Sequence, residues 1–244
     1  MSDSLPPPPS IQSGDALFLD LDGTLIELAD TPDSVRVPDA LGELLGRLAH
    51  RLEGRVAIVS GRALADVDRH LGRVAVTVAG SHGAELRLRD GGAVARPAPP
   101  GLEAARAAAA RLARDDSRLL IEEKPAGVAV HFRAAPEREA EVGRFAAALA
   151  EQTGLRLQKG KMVAELLAPG CDKGEALRAM MAEPSFAGAR PLFVGDDLTD
   201  EHGFEAAAAA GGGGILVGAP RATAARWRIG GVAAVLRWLD EGSR

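Results

Sequence analysis

The chain has 244 residues, of which 46 % are hydrophobic and 26 % are charged, as in an ordinary globular protein of one or two domains. Its formal net charge of −5 argues against a nucleic-acid-binding protein, which normally carries a basic excess. The single cysteine, Cys171, excludes an intrachain disulfide and a cysteine zinc site. Because no signal-peptide pattern and no membrane-length apolar run is present, we expect a soluble, cytoplasmic protein with no membrane partner. We also expect it to be a monomer.

Residues 1–13 form a proline-rich segment, which we expect to be a disordered leader. An apolar run at 16–19 then leads into Asp20-Leu21-Asp22-Gly23-Thr24, a pattern typical of a parallel strand buried on both faces. Leucines at helical spacing predict a helix that begins at Pro38. The predicted elements that follow are a strand at 56–59, a helix at 63–71, a strand at 74–79 and a hairpin turning at 90–92.

The pattern changes near residue 97. Between 98 and 170 the predicted order is helix, two strands, helix, two strands, which is typical of a small sheet with helices on one face. Alternation of strand and helix returns after 170, with a last strand at 215–217 and a final helix at 232–239. We therefore predict an α/β fold: a Rossmann-like, doubly wound parallel sheet core at 14–97 and 171–244, with an inserted αββαββ α+β domain at 98–170.

Polar clusters follow three strands of the predicted sheet. Ligands of open α/β sheets bind beyond the carboxyl ends of the strands, so we expect the clusters to meet in one pocket. The clusters are Asp20, Asp22 and Thr24; Ser60, Gly61 and Arg62; and Asp196 and Asp197.

The first cluster favours covalent phosphoryl transfer. Asp20 and Asp22 lie two residues apart in an extended segment, so their side chains leave the same side of the strand end. A carboxylate can attack a phosphoryl group, and water then hydrolyses the acyl phosphate. We predict Asp20 as the nucleophile, and Asp22 as the acid that protonates the leaving oxygen and later activates water.

Cations are required by this chemistry. An anion that approaches a phosphate dianion is repelled by roughly 4 kcal/mol per charge pair at 4 Å and an effective dielectric of 20. Asp20, Asp196 and Asp197 offer hard oxygen ligands, few enough to suit Mg²⁺ with waters and a substrate phosphate. Lys173 would aim an ammonium at the same pocket from a helix start. Ser60 and the backbone N–H groups around Gly61 would hold the phosphoryl oxygens.

The residue set resembles the haloacid-dehalogenase phosphatase superfamily. Asp20-Leu21-Asp22-Gly23-Thr24 matches its first motif, Ser60 its second, Lys173 its third and Gly195-Asp196-Asp197 its fourth. The resemblance implies that Mg²⁺ is held by the Asp20 carboxylate, the Asp22 main-chain carbonyl and the Asp196 carboxylate. The inserted domain is similar to the C2-type cap of the sugar-phosphate branch, which implies that 98–170 sets specificity and closes over the substrate.

Finer features between residues 16 and 239 resemble the trehalose-6-phosphate phosphatase family, which implies hydrolysis of trehalose 6-phosphate to trehalose and phosphate. The segments are Ser60-Gly61-Arg62, Gly80-Ser81-His82-Gly83-Ala84-Glu85, Glu123-Lys124, His131-Phe132-Arg133, Gly160-Lys161-Met162-Val163-Ala164-Glu165-Leu166 and Gly195-Asp196-Asp197-Leu198-Thr199-Asp200-Glu201.

Two groups of residues are candidate substrate contacts. Near the strand ends we expect them from Thr24, Gly61, Arg62 and His82. In the inserted domain, alternation would put His131 and Arg133 on one sheet face, with Glu165 near them. The predicted sugar contacts are Lys124, His131, Arg133, Lys161 and Glu165.

Simpler interpretations stay open for several of these residues. His82 can equally be a hydrogen-bonded structural histidine, and the charged residues of the inserted sheet can be solvated strand positions. Asp197 can ligate the metal or stand behind the ligands. Asp200 can cap a helix or act directly.

Other functions also stay open. Another capped sugar phosphatase would act on sucrose phosphate, mannosyl-3-phosphoglycerate or a hexose phosphate. A mutase would return the phosphoryl group to sugar instead of water. A non-catalytic sugar-phosphate binder would be expected to lose Asp20, Asp22 or Lys173, and all three are present.

Overall fold

The structure is a computed structural model that describes residues 5–28, 36–95, 97–160 and 162–244. The chain divides into two compact units. Unit 1 consists of Met1–Val94 and Asp172–Arg244, and unit 2 of Ala95–Cys171. Across the described residues, none of the helices is long and apolar enough to cross a membrane.

Along the chain, strands and helices mostly alternate in unit 1, whose sequence is interrupted by the two-helix, four-strand segment of unit 2. In chain order the strands are β1 (Asp15–Leu19), β2 (Val56–Val59), β3 (Thr77–Gly80), β4 (Glu85–Arg87), β5 (Ala93–Ala95), β6 (Leu120–Lys124), β7 (Gly127–His131), β8 (Arg156–Gly160), β9 (Val163–Leu167), β10 (Arg190–Gly195), β11 (Gly213–Val217) and β12 (Trp227–Ile229). The α-helices are α1 (Leu41–Arg51), α2 (Leu64–Leu71), α3 (Leu102–Arg114), α4 (Glu139–Thr153), α5 (Lys173–Met181), α6 (Glu201–Ala209) and α7 (Val232–Gly242).

The sheet of unit 1 has the order β12-β11-β10-β1-β2-β3-β4-β5. It is parallel from β12 to β3, and β4 returns antiparallel to β3. Every residue of β1 is buried, and alternation sends its side chains into two separate cores. Leu17 and Leu19 pack with α1 and α7, whereas Ala16 and Phe18 pack with α5 and α6. Helices therefore cover both faces, which confirms the predicted doubly wound sheet.

The strand order brings the predicted polar clusters to one edge of the sheet. β1 lies between β10 and β2, and Leu19 is in register with both Val194 and Ile58. Since the three strands are parallel, the segments that follow them leave from the same edge.

One strand of unit 1 was not predicted. β12 lies beyond β11, which was expected to be the last strand, and pairs parallel to it with Ile215 opposite Trp227. The prediction missed it because three half-buried residues give no periodicity.

The disordered leader predicted over 1–13 was wrong for residues 5–13. The carbonyl of Pro6 accepts a hydrogen bond from the backbone N–H of Arg228, at 2.9 Å. The carbonyl of Pro9 accepts from Trp238 Nε1, at 2.9 Å. Ile11 is buried in the core that contains α1 and α7. Proline carbonyls still accept hydrogen bonds, so this segment packs along β12 and α7 although its prolines cannot donate.

Unit 2 is an antiparallel sheet of order β6-β7-β9-β8. Val128 and Val130 of β7 and Leu166 of β9 share one hydrophobic core with residues of α3 and α4. The helices therefore cover one face, as predicted for the αββαββ segment. β7 ends at His131, so Arg133 lies in the turn after the strand, and the predicted common face for these two residues was wrong.

Candidate active site

Lys173 joins two of the strand-end segments. It is the first residue of α5, and the Asp172 carboxylate caps that helix by accepting from the Glu175 N–H at 2.8 Å. The Lys173 ammonium donates to Asp20 Oδ1 and to Asp200 Oδ1, each at 2.6 Å. All three side chains are buried, so these contacts are poorly screened by solvent.

The carboxylates of Asp20, Asp196 and Asp200 form an acidic cluster, with one oxygen from each lying within 4.8 Å of the others. Burial raises the pKa of Asp20 well above its usual value, against the opposing effect of the Lys173 ammonium. Burial, then repulsion from Asp200, raises the pKa of Asp196 to about 6. Burial disfavours the Lys173 ammonium, but its two carboxylate partners raise the pKa of Lys173 above the usual value. Three carboxylates thus share one ammonium, and the excess negative charge suits a divalent cation.

Two features of the acidic cluster fit a metal ion. Asp196 Oδ1 is buried and has no hydrogen-bond partner among the described residues, as expected of an oxygen that is available as a ligand. Both oxygens of Asp200 are already used, one by Lys173 and the other by the backbone N–H of Asp197 at 2.9 Å. Asp20 Oδ1 also accepts from Lys173, so the oxygens left for a cation are Asp20 Oδ2 and those of Asp196.

Gly23 lets the first motif approach this cluster. Its φ of +83° is in the left-handed region, and a Cβ placed there would lie 2.3 Å from Asp196 Oδ2. Any side chain at this position would collide with the carboxylate.

Asp197 lies outside the acidic cluster. Its carboxylate accepts the N–H of Asp200 while the Asp200 carboxylate accepts the N–H of Asp197, which forms a capping box over the turn that precedes α6. Asp200 thus caps the turn before α6 but makes no side-chain cap hydrogen bond to α6 itself, and it accepts from Lys173. Its direct role in the chemistry stays a prediction. The role of Asp197 as a metal ligand stays a prediction.

Asp22 is held by Arg62. The guanidinium donates from Nε to Asp22 Oδ2 and from Nη2 to Asp22 Oδ1, both at 2.7 Å, in a two-point ion pair. The backbone N–H of Arg62 also donates to Ser60 Oγ, at 3.1 Å. The second motif thus contacts the first through Arg62, whose predicted contact with substrate stays a prediction.

The segment 80–85 packs against the second motif and donates hydrogen bonds to its backbone. Ser81 N–H donates to the Arg62 carbonyl at 2.7 Å, and His82 N–H to the Ser60 carbonyl at 3.0 Å. The buried His82 imidazole lies against Gly61, where a Cβ would be 2.8 Å from Nε2. Ser81 and His82 have φ values of +47° and +54°, a strained conformation that tends to occur at functional sites.

Thr24, the last residue of the first motif, is fully buried. Its Oγ1 lacks a hydrogen-bond partner within the part of the chain that the structure describes. Its predicted contact with substrate stays untested.

In unit 2, three of the predicted sugar contacts lie on the sheet face away from the helices. Lys124 Nζ donates to Glu165 Oε1 at 2.6 Å, and both side chains are buried. His131 Nε2 lies 2.8 Å from Glu122 Oε2, which links it to this pair, because Glu122 Oε1 is 3.9 Å from Lys124. Arg133 is exposed in the turn after β7. Lys161 lies outside the described residues.

Sequence reasoning assigned no role to Glu122, Arg221 or Glu201. Arg221 contacts the loop after β10, and Glu201 forms an ion pair with Arg221. Glu122 could have been found by alternation, since it lies two residues before Lys124 on the same strand face. Arg221 had no comparable signal, because it is 25 residues from Asp196 in a loop.

The doubly wound core has the haloacid-dehalogenase fold, and the family that matches the chain is one of phosphatases, which are phosphoric monoester hydrolases. The chain belongs to the trehalose-phosphatase family, whose model matches residues 18–228. This confirms the resemblance inferred from the sequence.

Two relatives with high coverage come from bacteria. A probable trehalose-phosphate phosphatase of Sinorhizobium fredii is 39 % identical over 84 % of this chain and 78 % of its own length. The trehalose-6-phosphate phosphatase of Escherichia coli is 36 % identical over 98 % of this chain and 91 % of its own.

Solved structures agree on the fold. A trehalose-6-phosphate phosphatase related protein is 26 % identical, with a TM-score of 0.72 over 92 % of this chain and 95 % of that one. The C-terminal domain of the C. albicans trehalose-6-phosphate phosphatase, 20 % identical, shares the fold with a TM-score of 0.83 over 99 % of each chain.

Proposed function

We propose that the chain hydrolyses trehalose 6-phosphate to trehalose and inorganic phosphate, with Asp20 as the nucleophile and Mg²⁺ as the cofactor. The contact of the Lys173 ammonium with Asp20 Oδ1, at 2.6 Å inside a buried acidic cluster, carries the proposal. The substrate is proposed because the high-coverage bacterial relatives are named for this activity.

The reaction proceeds in two steps. An Asp20 carboxylate oxygen attacks phosphorus, and the bond from phosphorus to the sugar oxygen breaks. Asp22, protonated on the oxygen that gives up its contact with Arg62 when the substrate binds, gives that sugar oxygen its proton. Asp22, now ionised, takes a proton from water, which attacks the aspartyl phosphate and releases phosphate and Asp20. Lys173 keeps a positive charge beside the nucleophile in both steps.

The Asp20 and Asp196 carboxylates and the Asp22 main-chain carbonyl would hold Mg²⁺. When bound, the ion neutralises charge on the phosphoryl oxygens and on the crowded carboxylates. Ser60 Oγ and the N–H groups around Gly61 would bind the phosphoryl oxygens, while Arg62 orients Asp22.

We assign recognition of the sugar to unit 2, in the role of a cap. The face of its sheet away from the helices carries a connected set of donors and acceptors, namely Lys124, Glu165, Glu122 and His131. Such a set suits sugar hydroxyls, which both donate and accept hydrogen bonds.

The test is phosphate release from a panel of substrates by the full chain in Mg²⁺: trehalose 6-phosphate, sucrose 6-phosphate, mannosyl-3-phosphoglycerate and glucose 6-phosphate. We expect kcat/KM to be highest for trehalose 6-phosphate. Asp20→Asn should lower kcat on the order of 10⁴-fold or more while the protein stays folded, because it keeps the shape of the side chain and removes the nucleophile.

Two results would contradict the proposal. Equal kcat/KM for glucose 6-phosphate and trehalose 6-phosphate would remove the trehalose assignment. Full turnover by the Asp20→Asn variant would exclude the covalent mechanism.

A further inference from the structure

Arg221 contacts the loop that carries Asp196 although it belongs to a different segment, the loop between β11 and β12. Its Nη2 donates to the Asp197 carbonyl at 2.8 Å, and the Asp196 carbonyl lies 3.5 Å from the same nitrogen. Two successive carbonyls of the fourth motif are thus held by one guanidinium group, whose planar geometry fixes the directions of its donors.

Glu201 holds Arg221 in this position. Its carboxylate forms an ion pair with Arg221 Nη1, and both side chains are mostly buried. It also accepts from Thr223 Oγ1 at 2.8 Å and from the Ala224 N–H at 2.7 Å. Glu201 is the first residue of α6, so this network ties the start of α6 to the loop before β12.

The loop after β10, which carries Asp196 and Asp197, is also held by the acidic cluster. The Asp200 carboxylate holds the Asp197 N–H at 2.9 Å and the Lys173 ammonium at 2.6 Å. The peptide unit between Asp196 and Asp197 therefore lies between two anchors. Arg221, Asp196 and Gly23 also line one open cavity of about 430 Å³.

Charge balance explains why the guanidinium is paired. An uncompensated cation next to the acidic cluster would repel a metal ion bound there. Glu201 neutralises Arg221, so the hydrogen bonds to the carbonyls are kept without that repulsion.

We propose that Arg221, held by Glu201, is a positioning residue for the metal site: it fixes the Asp196–Asp197 peptide so that the Asp196 carboxylate stays aimed at the ion. This inference rests on the metal role in the proposed function. Partners of this kind, which orient a ligand without touching the metal, typically change metal affinity by about 10- to 100-fold when they are removed.

The test measures Mg²⁺ binding directly, by isothermal titration of the full chain with MgCl₂. Arg221→Met should weaken Mg²⁺ binding by about tenfold or more, and the Mg²⁺ concentration for half-maximal turnover should rise in parallel. At saturating Mg²⁺, kcat should stay within about twofold of wild type, because Arg221 touches no reacting atom.

Arg228→Met is the matched control. Arg228 Nη1 donates to the carbonyl of Gly218 in the same loop, at 2.8 Å, and the variant should bind Mg²⁺ as wild type does. Melting temperatures in EDTA report folding separately.

Glu201→Gln is a second test variant in case Arg221→Met does not fold, and it should also weaken Mg²⁺ binding. The double variant should be no weaker than the worse single variant, because the two residues act as one unit.

Wild-type Mg²⁺ affinity in a folded Arg221→Met or Glu201→Gln variant would overturn the inference and leave the proposed function standing. A wild-type chain that binds no Mg²⁺ and turns over fully in EDTA would overturn the metal role in the proposed function, and this inference with it.

Discussion

At the scale of single residues, the proposed active site is a cluster of like charges held together by one ammonium. Lys173 bonds to Asp20 and Asp200, while Asp196 lies beside them with one oxygen unpaired among the described residues. Such an arrangement costs stability when no cation is bound, because buried carboxylates at this spacing repel each other. A bound Mg²⁺ would offset this cost.

The raised pKa of Asp196 predicts a pH-dependent stability. Its folded pKa of about 6 exceeds the usual 3.8, so the folded state binds this proton more tightly than the unfolded state. The resulting stabilisation is full below pH 4 and is lost as the pH rises to about 6. In EDTA, the free energy of unfolding of Asp196→Asn should rise relative to that of the wild type by up to about 3 kcal/mol between pH 4 and 7.

Urea denaturation of both proteins at several pH values measures this gain. Saturating Mg²⁺ is the control: at pH 7 it should stabilise the wild type much more than the variant, which has lost a ligand. A constant difference between wild type and variant across the pH range in EDTA would contradict the assignment.

At the scale of elements, two segments, 60–62 and 80–85, pack together to form the proposed phosphate-binding loop. The backbone of 60–62 rests on Ser81 and His82, and Glu85 Oε2 accepts from Ser81 Oγ at 2.8 Å and from the Leu64 N–H at 3.2 Å. Residues 60–62 therefore have little freedom to move, as expected of a site whose backbone N–H groups must be preorganised.

Gly61→Ala tests this stacking. The added Cβ would lie 2.8 Å from His82 Nε2, so either the imidazole or the loop must shift. A shift on the order of 1 Å at a catalytic loop can cost about a hundredfold, and we expect a loss of about this size in kcat/KM for trehalose 6-phosphate. Weaker competitive inhibition by inorganic phosphate should accompany it.

Gly46→Ala is the matched control. Gly46 lies within α1, and a Cβ there meets nothing within 4 Å. Helix propensity favours alanine by up to about 1 kcal/mol, so stability should hold or rise while kcat/KM stays unchanged. Wild-type kcat/KM and phosphate inhibition in Gly61→Ala would show that the loop tolerates the methyl group.

At the scale of the whole molecule, the N-terminal segment is part of unit 1. Residues 5–13 lie along β12 and α7, and Arg51 donates hydrogen bonds to the carbonyls of both Ile11 and Gly242. An edge strand exposes unpaired backbone groups, and covering them limits edge-to-edge association. The segment thus completes the side of the sheet that ends at β12.

Ile11→Ala should destabilise unit 1. Ile11 is 3 % exposed, and truncating a buried isoleucine typically costs about 2 to 5 kcal/mol. Thermal denaturation followed by tryptophan fluorescence measures the loss, since Trp238 shares the same core. Ser10→Ala, at an exposed neighbouring position, should change little. An unchanged melting temperature for Ile11→Ala would mean that the segment is not packed in solution.

The sequence by itself determined the fold class and most of the elements. The apolar run before Asp20 and the leucine stripe of α1 carry strong local patterns. The strand formed where predicted, and the helix formed but begins at Leu41 instead of Pro38. It also indicated that Asp20, Ser60, Lys173 and Asp196 lie in one unit, because parallel strands end at a common edge. These features depend on hydrophobic periodicity and on the order of strands and helices along the chain, and both can be read from a single sequence.

Only the tertiary structure decided which side chains are partners. It placed Asp200 beside Lys173, paired Asp22 with Arg62, and brought Arg221 to the loop of Asp196. It also packed the proline segment against β12. None of these contacts leaves a local pattern, because each joins groups whose separation is set by how helices and loops pack around the sheet.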